Sequence, residues 1–226
     1  MKRGKKYRES LKKYNPDNVY ELNEALGLVK TIAYAKFDET VELSVKLNLK
    51  KSQTVRDTVV LPNQFKGEKK ILVFCKPEKE KEAQEAGAAF IGAEDMIEKV
   101  KGGWTDFDVA VATPDMMKDV GKLGMVLGRK GLMPNPKTGT VSFDLKGTLA
   151  ELKKGRVEFR ADKTGVMHLA VGKVSMASDL VAENVRAVIT EVKRKRPVDA
   201  KGEFIRSVSV ASTMGPGVWV NIRDQG

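Results

Sequence analysis

Two rhythms of apolar residues divide this chain. Val41, Leu43, Val45, Leu47 and Leu49 alternate with Glu42, Ser44, Lys46, Asn48 and Lys50, and period two marks a long strand with one wet face. From Val19 onward, Leu22, Leu26, Val29 and Ala33 stand at i, i+4, i+7 and i+11, one face of a helix that should pack on that sheet. Thr54 to Leu61, closed by Pro62, predicts a second strand. Alternation returns at Arg156, where Val157, Phe159 and Ala161 oppose Arg156, Glu158 and Arg160. Asp162-Lys163-Thr164-Gly165 then turns the chain into a strand running to Val171, a hairpin signal. Ser178 to Lys195 reads as a helix with Val181, Val185, Val188 and Val192 on one side, and Lys193 to Arg196 suit its negative pole. Phe204 to Thr213 and Gly217 to Ile222 are predicted as the last two strands, bent apart at Gly215-Pro216.

The middle has the other rhythm. Ile71-Leu72-Val73-Phe74, Ala89-Phe90-Ile91 and Val109-Ala110-Val111-Ala112 are unbroken apolar runs, separated by charged helical stretches from Glu78, Glu94 and Pro114. That order predicts a parallel sheet covered on both faces. Thr113 is placed to cap the third helix, with Pro114 at its first position. Structure breakers then crowd together: Gly128, Gly131, Pro134, Pro136 and Gly139 predict a helix ending near Gly128 and a loop carrying Arg129, Lys130 and Lys137. Leu149 to Lys154 can form another helix, ended by Gly155. The two ends of the chain share one style and the middle has another, which hints at one domain split by an insertion. The division predicted is 1–66 with 157–226, and 67–156.

Composition narrows the function classes. At 226 residues, 41% hydrophobic and 31% charged, the chain reads as a soluble globular protein. No apolar run is long enough to span a membrane, and the basic N-terminus lacks the apolar segment of a secretory signal, so a cytoplasmic address is expected. Cys75 is the sole cysteine, which leaves no intrachain disulfide or multi-cysteine metal site, and its apolar setting predicts a buried thiol. The net charge is +11 and unevenly spread. Residues 67–156 hold 16 Lys+Arg against 14 Asp+Glu, a net of +2, whereas the two flanks hold 25 against 16, a net of +9. A basic flank attracts phosphate-rich partners, nucleic acid first among them, though charge alone does not separate RNA from DNA. Seven basic side chains and one acid in the first thirteen residues read as a mobile or partner-ordered arm.

Catalysis finds little footing. His168 is the only histidine and has no Ser or Cys partner at motif spacing, so it reads as structural. Asp106, Asp108 and Asp115 lie around a strand end and a helix start, where carboxylates serve as caps or solvated groups rather than metal ligands. Neither glycine-rich phosphate motif occurs, so no cofactor or metal is expected. RNA binding has better candidates. Lys36-Phe37 is expected to end the first helix, setting an ammonium beside an aromatic plane, although Phe37 as a core residue fits the spacing equally. The polar strand face offers Thr40, Glu42, Ser44 and Lys46, and near the other end Ser207, Ser209, Ala211 and Thr213 form a small polar face.

The order of residues says more than their spacing. Leu127-Gly128-Arg129-Lys130-Gly131-Leu132-Met133-Pro134-Asn135-Pro136-Lys137-Thr138-Gly139-Thr140-Val141 closely resembles the signature of the universal large-subunit ribosomal protein family L-one, the proteins of the mobile side stalk. Four further stretches match in order: Ala35 to Glu42; Asp106-Phe107-Asp108 with Ala112 to Asp115; Asp162 to Gly165; and Ser212 to Pro216. The chain departs at Arg129, where the family usually has Pro, and at Asn63-Gln64, where it usually has His-Gly. The resemblance implies an α/β protein: an α+β split domain of ferredoxin-like character made from both termini, with an inserted Rossmann-like three-layer α/β domain. It implies a non-enzymatic protein of the large ribosomal subunit that binds ribosomal RNA, assists release of exit-site transfer RNA and represses its own operon messenger RNA. Thr213, Met214 and Gly215, with Ser207, Phe37 and Thr40, match the family's main RNA contact, and Asp162, Lys163 and Thr164 a neighbouring one. Lys36, Glu42 and Lys46 complete the candidate site; Glu42 can accept a bond from a 2′-hydroxyl. The rival expectation is an enzyme whose middle domain binds a nucleotide.

Overall fold

The computed structural model describes residues 4–50, 53–65, 67, 69–197 and 202–221. In chain order the elements are α1 (Lys5–Leu11), β1 (Val19–Tyr20), α2 (Leu22–Ile32), β2 (Thr40–Leu47) and β3 (Arg56–Val60). Next come β4 (Ile71–Phe74), α3 (Glu80–Glu85), β5 (Phe90–Gly92), α4 (Glu94–Lys101), β6 (Val109–Ala112), α5 (Met117–Val120), α6 (Gly124–Lys130) and α7 (Leu145–Lys153). The last are β7 (Arg156–Arg160), β8 (Val166–Lys173), α8 (Ser178–Arg194), β9 (Ile205–Ser212) and β10 (Val218–Val220). The fold is mixed α/β. It divides into two compact units, Met1–Phe65 with Val157–Gly226, and Lys66–Arg156. Met1, Lys2, Arg3 and Ile222 lie outside the described residues.

In the first unit five strands run in the order β1-β10-β9-β2-β8. β2 is antiparallel to both β8 and β9, while β1 lies parallel to β10. Alternation decides the layers. Val41, Leu43, Val45 and Leu47 face a core closed by Leu22, Ala25, Leu26, Val29 and Ile32 of α2 and by Val181, Val185, Val188 and Val192 of α8. Both helices cover that one face. The opposite face of β2 and β9 carries polar and small residues.

Four expectations change here, three of them through a tertiary contact. Val19 and Tyr20 leave the predicted helix and pair with Trp219 and Val220, so the helix starts at Leu22. Residues 5–11, predicted as part of an arm, form a helix held to the end of α2: the Ser10 hydroxyl donates to Ile32 O at 2.9 Å and Lys13 Nζ to Thr31 O at 3.2 Å. Those are carbonyls that a helix end leaves unpaired. The predicted hairpin exists as a turn but not as a ladder, because β7 pairs with β3 and β8 with β2. α2 stops at Ile32, so Lys36 and Phe37 stand in the loop before β2 rather than at the helix end.

The second unit has a parallel sheet in the order β5-β4-β6. Every residue of β4 is buried. Leu72 and Phe74 point into one layer with Val100, Val120, Leu123 and Leu127; Ile71 and Val73 point into the other with Ala83, Leu145, Leu149 and Leu152. Cys75 is buried in that second layer, and burial pushes its thiol pKa up. α6 runs through Gly128 and ends at Gly131, whose φ of +69° is the left-handed geometry that glycine tolerates. Arg129 and Lys130 are therefore the last turn of a helix, not a loop. Thr113 occupies the capping position beside Pro114, yet its hydroxyl makes no cap bond and is buried. α7 begins at Leu145, earlier than expected, because Asp144 Oδ1 accepts the Gly147 N–H at 3.0 Å.

Candidate nucleic-acid interface

The predicted residues fall into two clusters at opposite ends of β2, both within the first unit. At its start the chain turns at Ser212-Thr213-Met214-Gly215, closed by Gly215 N–H to Ser212 O at 3.0 Å. This turn is fixed on three sides. Glu39 Oε2 accepts the Met214 N–H at 2.9 Å, and the Tyr34 hydroxyl donates to Met214 O at 2.7 Å. Thr213 Oγ1 accepts the Thr40 N–H at 3.0 Å and donates to Thr40 O at 3.3 Å. The Thr213 hydroxyl is thus bonded to the backbone and ties two loops together.

Glu39 is the residue that sequence reasoning missed. It is 2% exposed, and its Oε1 accepts the N–H groups of Tyr34 at 3.1 Å and Ala35 at 2.8 Å. Burial pushes the carboxyl upward, but the N–H groups of Met214, Ala35 and Tyr34 outweigh it and hold its pKa below the ordinary value. One buried carboxylate thus organises both the 34–39 loop and the 212–215 turn. With the backbone tied down, Phe37 and Met214 are left 57% and 51% exposed. Lys36 is exposed as well, so this end presents an aromatic ring, a thioether and an ammonium. The core alternative for Phe37 is removed. Across the turn, Lys173 Nζ donates to Thr40 Oγ1 at 3.0 Å and to Asp38 O at 3.3 Å.

Between the ends runs a row of rungs. Glu42 lies opposite Ala211 and Ala170, Ser44 opposite Ser209 and His168, and Lys46 opposite Ser207 and Val166. His168 is exposed, and its Nδ1 is 2.9 Å from Ser44 Oγ. The partner that spacing could not show therefore comes from the neighbouring strand, and the ring belongs to the polar face rather than to the core.

At the far end, some 20 Å along β2 at strand rise, Asp162 builds the second turn. Its Oδ1 accepts the N–H groups of Thr164 and Val166, both at 2.8 Å, and the Thr164 hydroxyl at 2.7 Å. The Val166 and Thr164 bonds hold its pKa below the ordinary value. Gly165 has φ +77°, and a Cβ there would meet Leu47 O at 3.0 Å. Lys46 Nζ donates to Thr164 O at 2.5 Å, tying strand and turn together. Lys163 is exposed at the tip. The assembled surface offers an apolar clamp, a hydroxyl-lined strand and a charged turn, which is the inventory for gripping riboses, bases and phosphates.

Comparison with known proteins agrees with the resemblance. Residues 28–216 match the model of the ribosomal protein L1p/L10e family. The chain belongs to this family. It is 66% identical over 223 residues to the large ribosomal subunit protein uL1 of Treponema denticola, covering 99% of both chains. It is 57% identical over 220 residues to uL1 of Borrelia hermsii, covering 97% of this chain and 98% of that one. To uL1 of Leptospira biflexa it is 54% identical over 224 residues, covering 99% and 97%. The family consists of ribosomal structural proteins, so the enzyme expectation is set aside. Among the described residues no helix is long and apolar enough to cross a membrane.

At the two departures from the family pattern the structure places Asn63 and Arg129 as follows. Asn63 is bonded reciprocally to buried Asn184: its N–H donates to Asn184 Oδ1 at 2.9 Å, and Asn184 Nδ2 donates to Asn63 O at 2.8 Å. Asn63 Nδ2 also reaches Glu183 Oε2 at 2.7 Å. Arg129 sits in the last turn of α6, where its backbone N–H, absent in proline, can stay in the helical pattern.

Proposed function

We propose that the chain binds large-subunit ribosomal RNA through the first unit, on the face running from Lys36, Phe37, Thr213, Met214 and Gly215 across Thr40, Glu42, Lys46 and Ser207 to Asp162, Lys163 and Thr164. The observation that carries this reading is the Glu39 clamp, which fixes two loops by backbone bonds while leaving Phe37 and Met214 bare. Exposed apolar side chains on a preformed frame lose little freedom on binding. The charge division supports it, with +9 on the flanks against +2 in the middle. In this reading 1–66 with 157–226 is the RNA-binding domain and 67–156 the inserted Rossmann-like domain.

The relatives are named as proteins of the large ribosomal subunit. By that likeness the chain is a part of that subunit in the cytoplasm, placed at its mobile side stalk. There it assists release of exit-site transfer RNA. A messenger segment folded like the stalk site would meet the same face, and through it the protein represses its own operon messenger RNA. The test is a titration against a side-stalk RNA transcript and a duplex DNA of equal length. Tight binding of the RNA alone, weakened about tenfold or more by Met214→Ala with its melting temperature unchanged, is the expected result. Equal affinity for both nucleic acids, or native RNA affinity in Met214→Ala, would remove the assignment.

A further inference from the structure

Trp219 lies outside every matched stretch and plays no part in the face just described. It stands on the open side of β10 and is 43% exposed, with Val19, 63% exposed, as its register partner on β1. The placement of both is fixed: the Asn221 N–H donates to Tyr20 O at 2.8 Å, and the Tyr14 hydroxyl to Gly217 O at 2.9 Å. On its other side Trp219 is paired with Ser209, which is paired with Ser44, itself opposite His168. The ring therefore lies on a rung that crosses all five strands, from Val19 to His168. It also borders a groove of about 970 Å³ that includes Ser207 and whose lining cations, Lys193, Arg196 and Arg206, outnumber the carboxylates Asp17 and Glu203.

We propose that Trp219 is a stacking platform for an unpaired base of bound RNA, a second contact beyond the ends of β2; this rests on the RNA-binding reading above. Three observations favour RNA over another occupant. A large exposed ring on an open sheet offers a flat apolar surface, and any base has a π-face to lay on it. Small side chains beside it, Ser209 and Ser207, leave room for a base to lie flat. The groove's lining carries net positive charge, which attracts a phosphate near that base, although Arg196 and Arg206 also donate to Gly202 O and Asn48 Oδ1. Ser207 lines the groove and also lies opposite Lys46 on the first face, so the two surfaces adjoin.

The chain has two tryptophans, and Trp104 packs edge-on to Phe90 with ring centroids 4.8 Å apart in the second unit. Trp104→Phe in the full chain keeps that aromatic contact and leaves Trp219 as the only indole. Titrating this variant with side-stalk RNA should quench its emission. Trp219→Ala should weaken binding of the same RNA about tenfold, or ~1.4 kcal/mol. The salt slope should stay unchanged, because no charge is removed. Trp219→Phe should recover most of the loss, and a melting curve for each variant excludes unfolding. Unquenched emission, with native affinity in Trp219→Ala while Met214→Ala loses affinity, would overturn the platform and leave the main site standing. Absence of RNA binding by the natural chain would bring down both. Native RNA affinity in Trp219→Ala with loss of a dimer in sedimentation would assign the patch to a second copy of the chain and overturn the proposal.

Discussion

β2 and β4 draw their cores from the same kinds of residue, but one strand keeps water on one side and the other on neither. In β2 every second residue is polar, α2 and α8 lie on the apolar side, and the far side stays open. In β4 all four residues are apolar, and helices close both sides into two separate cores. An open sheet face lets the molecule display fixed hydroxyls, charges and rings, because the strand ladder holds the backbone while the side chains meet solvent. A sheet closed on both faces has no such surface to offer and can present chemistry only at its ends and loops. The contrast locates the candidate interface without appeal to charge. The charge division then points to the same unit.

The largest effect that would test this contrast is in the closed sheet. Phe74 is fully buried, so Phe74→Ala should destabilise the second unit by about 3–5 kcal/mol. RNA affinity should stay within about twofold, measured by titration beside a two-transition melt. A collapse of RNA binding in a chain whose first unit still melts normally would break the comparison. Next comes Glu39→Ala, which leaves three backbone N–H groups without their acceptor and should cost roughly 3 kcal/mol by urea unfolding. Both loops lose their tie, so RNA affinity should fall with it. The same carboxyl predicts a pH dependence. Its folded pKa lies below its unfolded value, so its contribution is complete above about pH 4.5 and is lost as the pH falls further through the folded pKa. In Glu39→Gln that part of the acid-side loss should vanish from the stability-against-pH curve.

Thr213→Val comes third. It removes the bond to the Thr40 N–H and should lower stability by about 1–2 kcal/mol. RNA affinity should drop about tenfold because the turn shifts, not because a direct contact is lost. A loss of affinity without any change in melting would restore the direct contact to RNA that the sequence suggested. The smallest effect tests the division itself. A chain joining residues 1–65 to 157–226 by a short linker should fold and keep RNA affinity within about threefold, checked by circular dichroism and the same titration. Loss of specific binding in that folded chain would show that the second unit takes part.

The rhythm of the sequence sufficed for most of the elements, since burial on one face or two imposes period two, unbroken runs or helical spacing directly. Several of its failures share one cause, a partner distant in sequence. Val19 and Tyr20 become a strand because β10 offers a free edge, and residues 5–11 become a helix because the open carbonyls of α2 accept Ser10 and Lys13. The turn at Asp162 was legible in its residues, but which strands it joined into ladders was not.

The candidate site divides in the same way. Lys36, Phe37, Met214 and Gly215 were visible as residue types in matching stretches, and the fold leaves the first three exposed. Glu39, in one of those stretches, reads like any solvated acid until the 212–215 turn is laid against it. Trp219 gives no periodic or motif signal, and only its register with Val19 and Ser209 places it on the open face. By itself the sequence determined which faces are apolar, where the chain must turn and which family it belongs to, because those follow from local chemistry and residue order. Only the tertiary structure decided which strand edges meet and which polar groups are tied inside, because those depend on partners as much as 203 residues away, such as Tyr14 and Gly217.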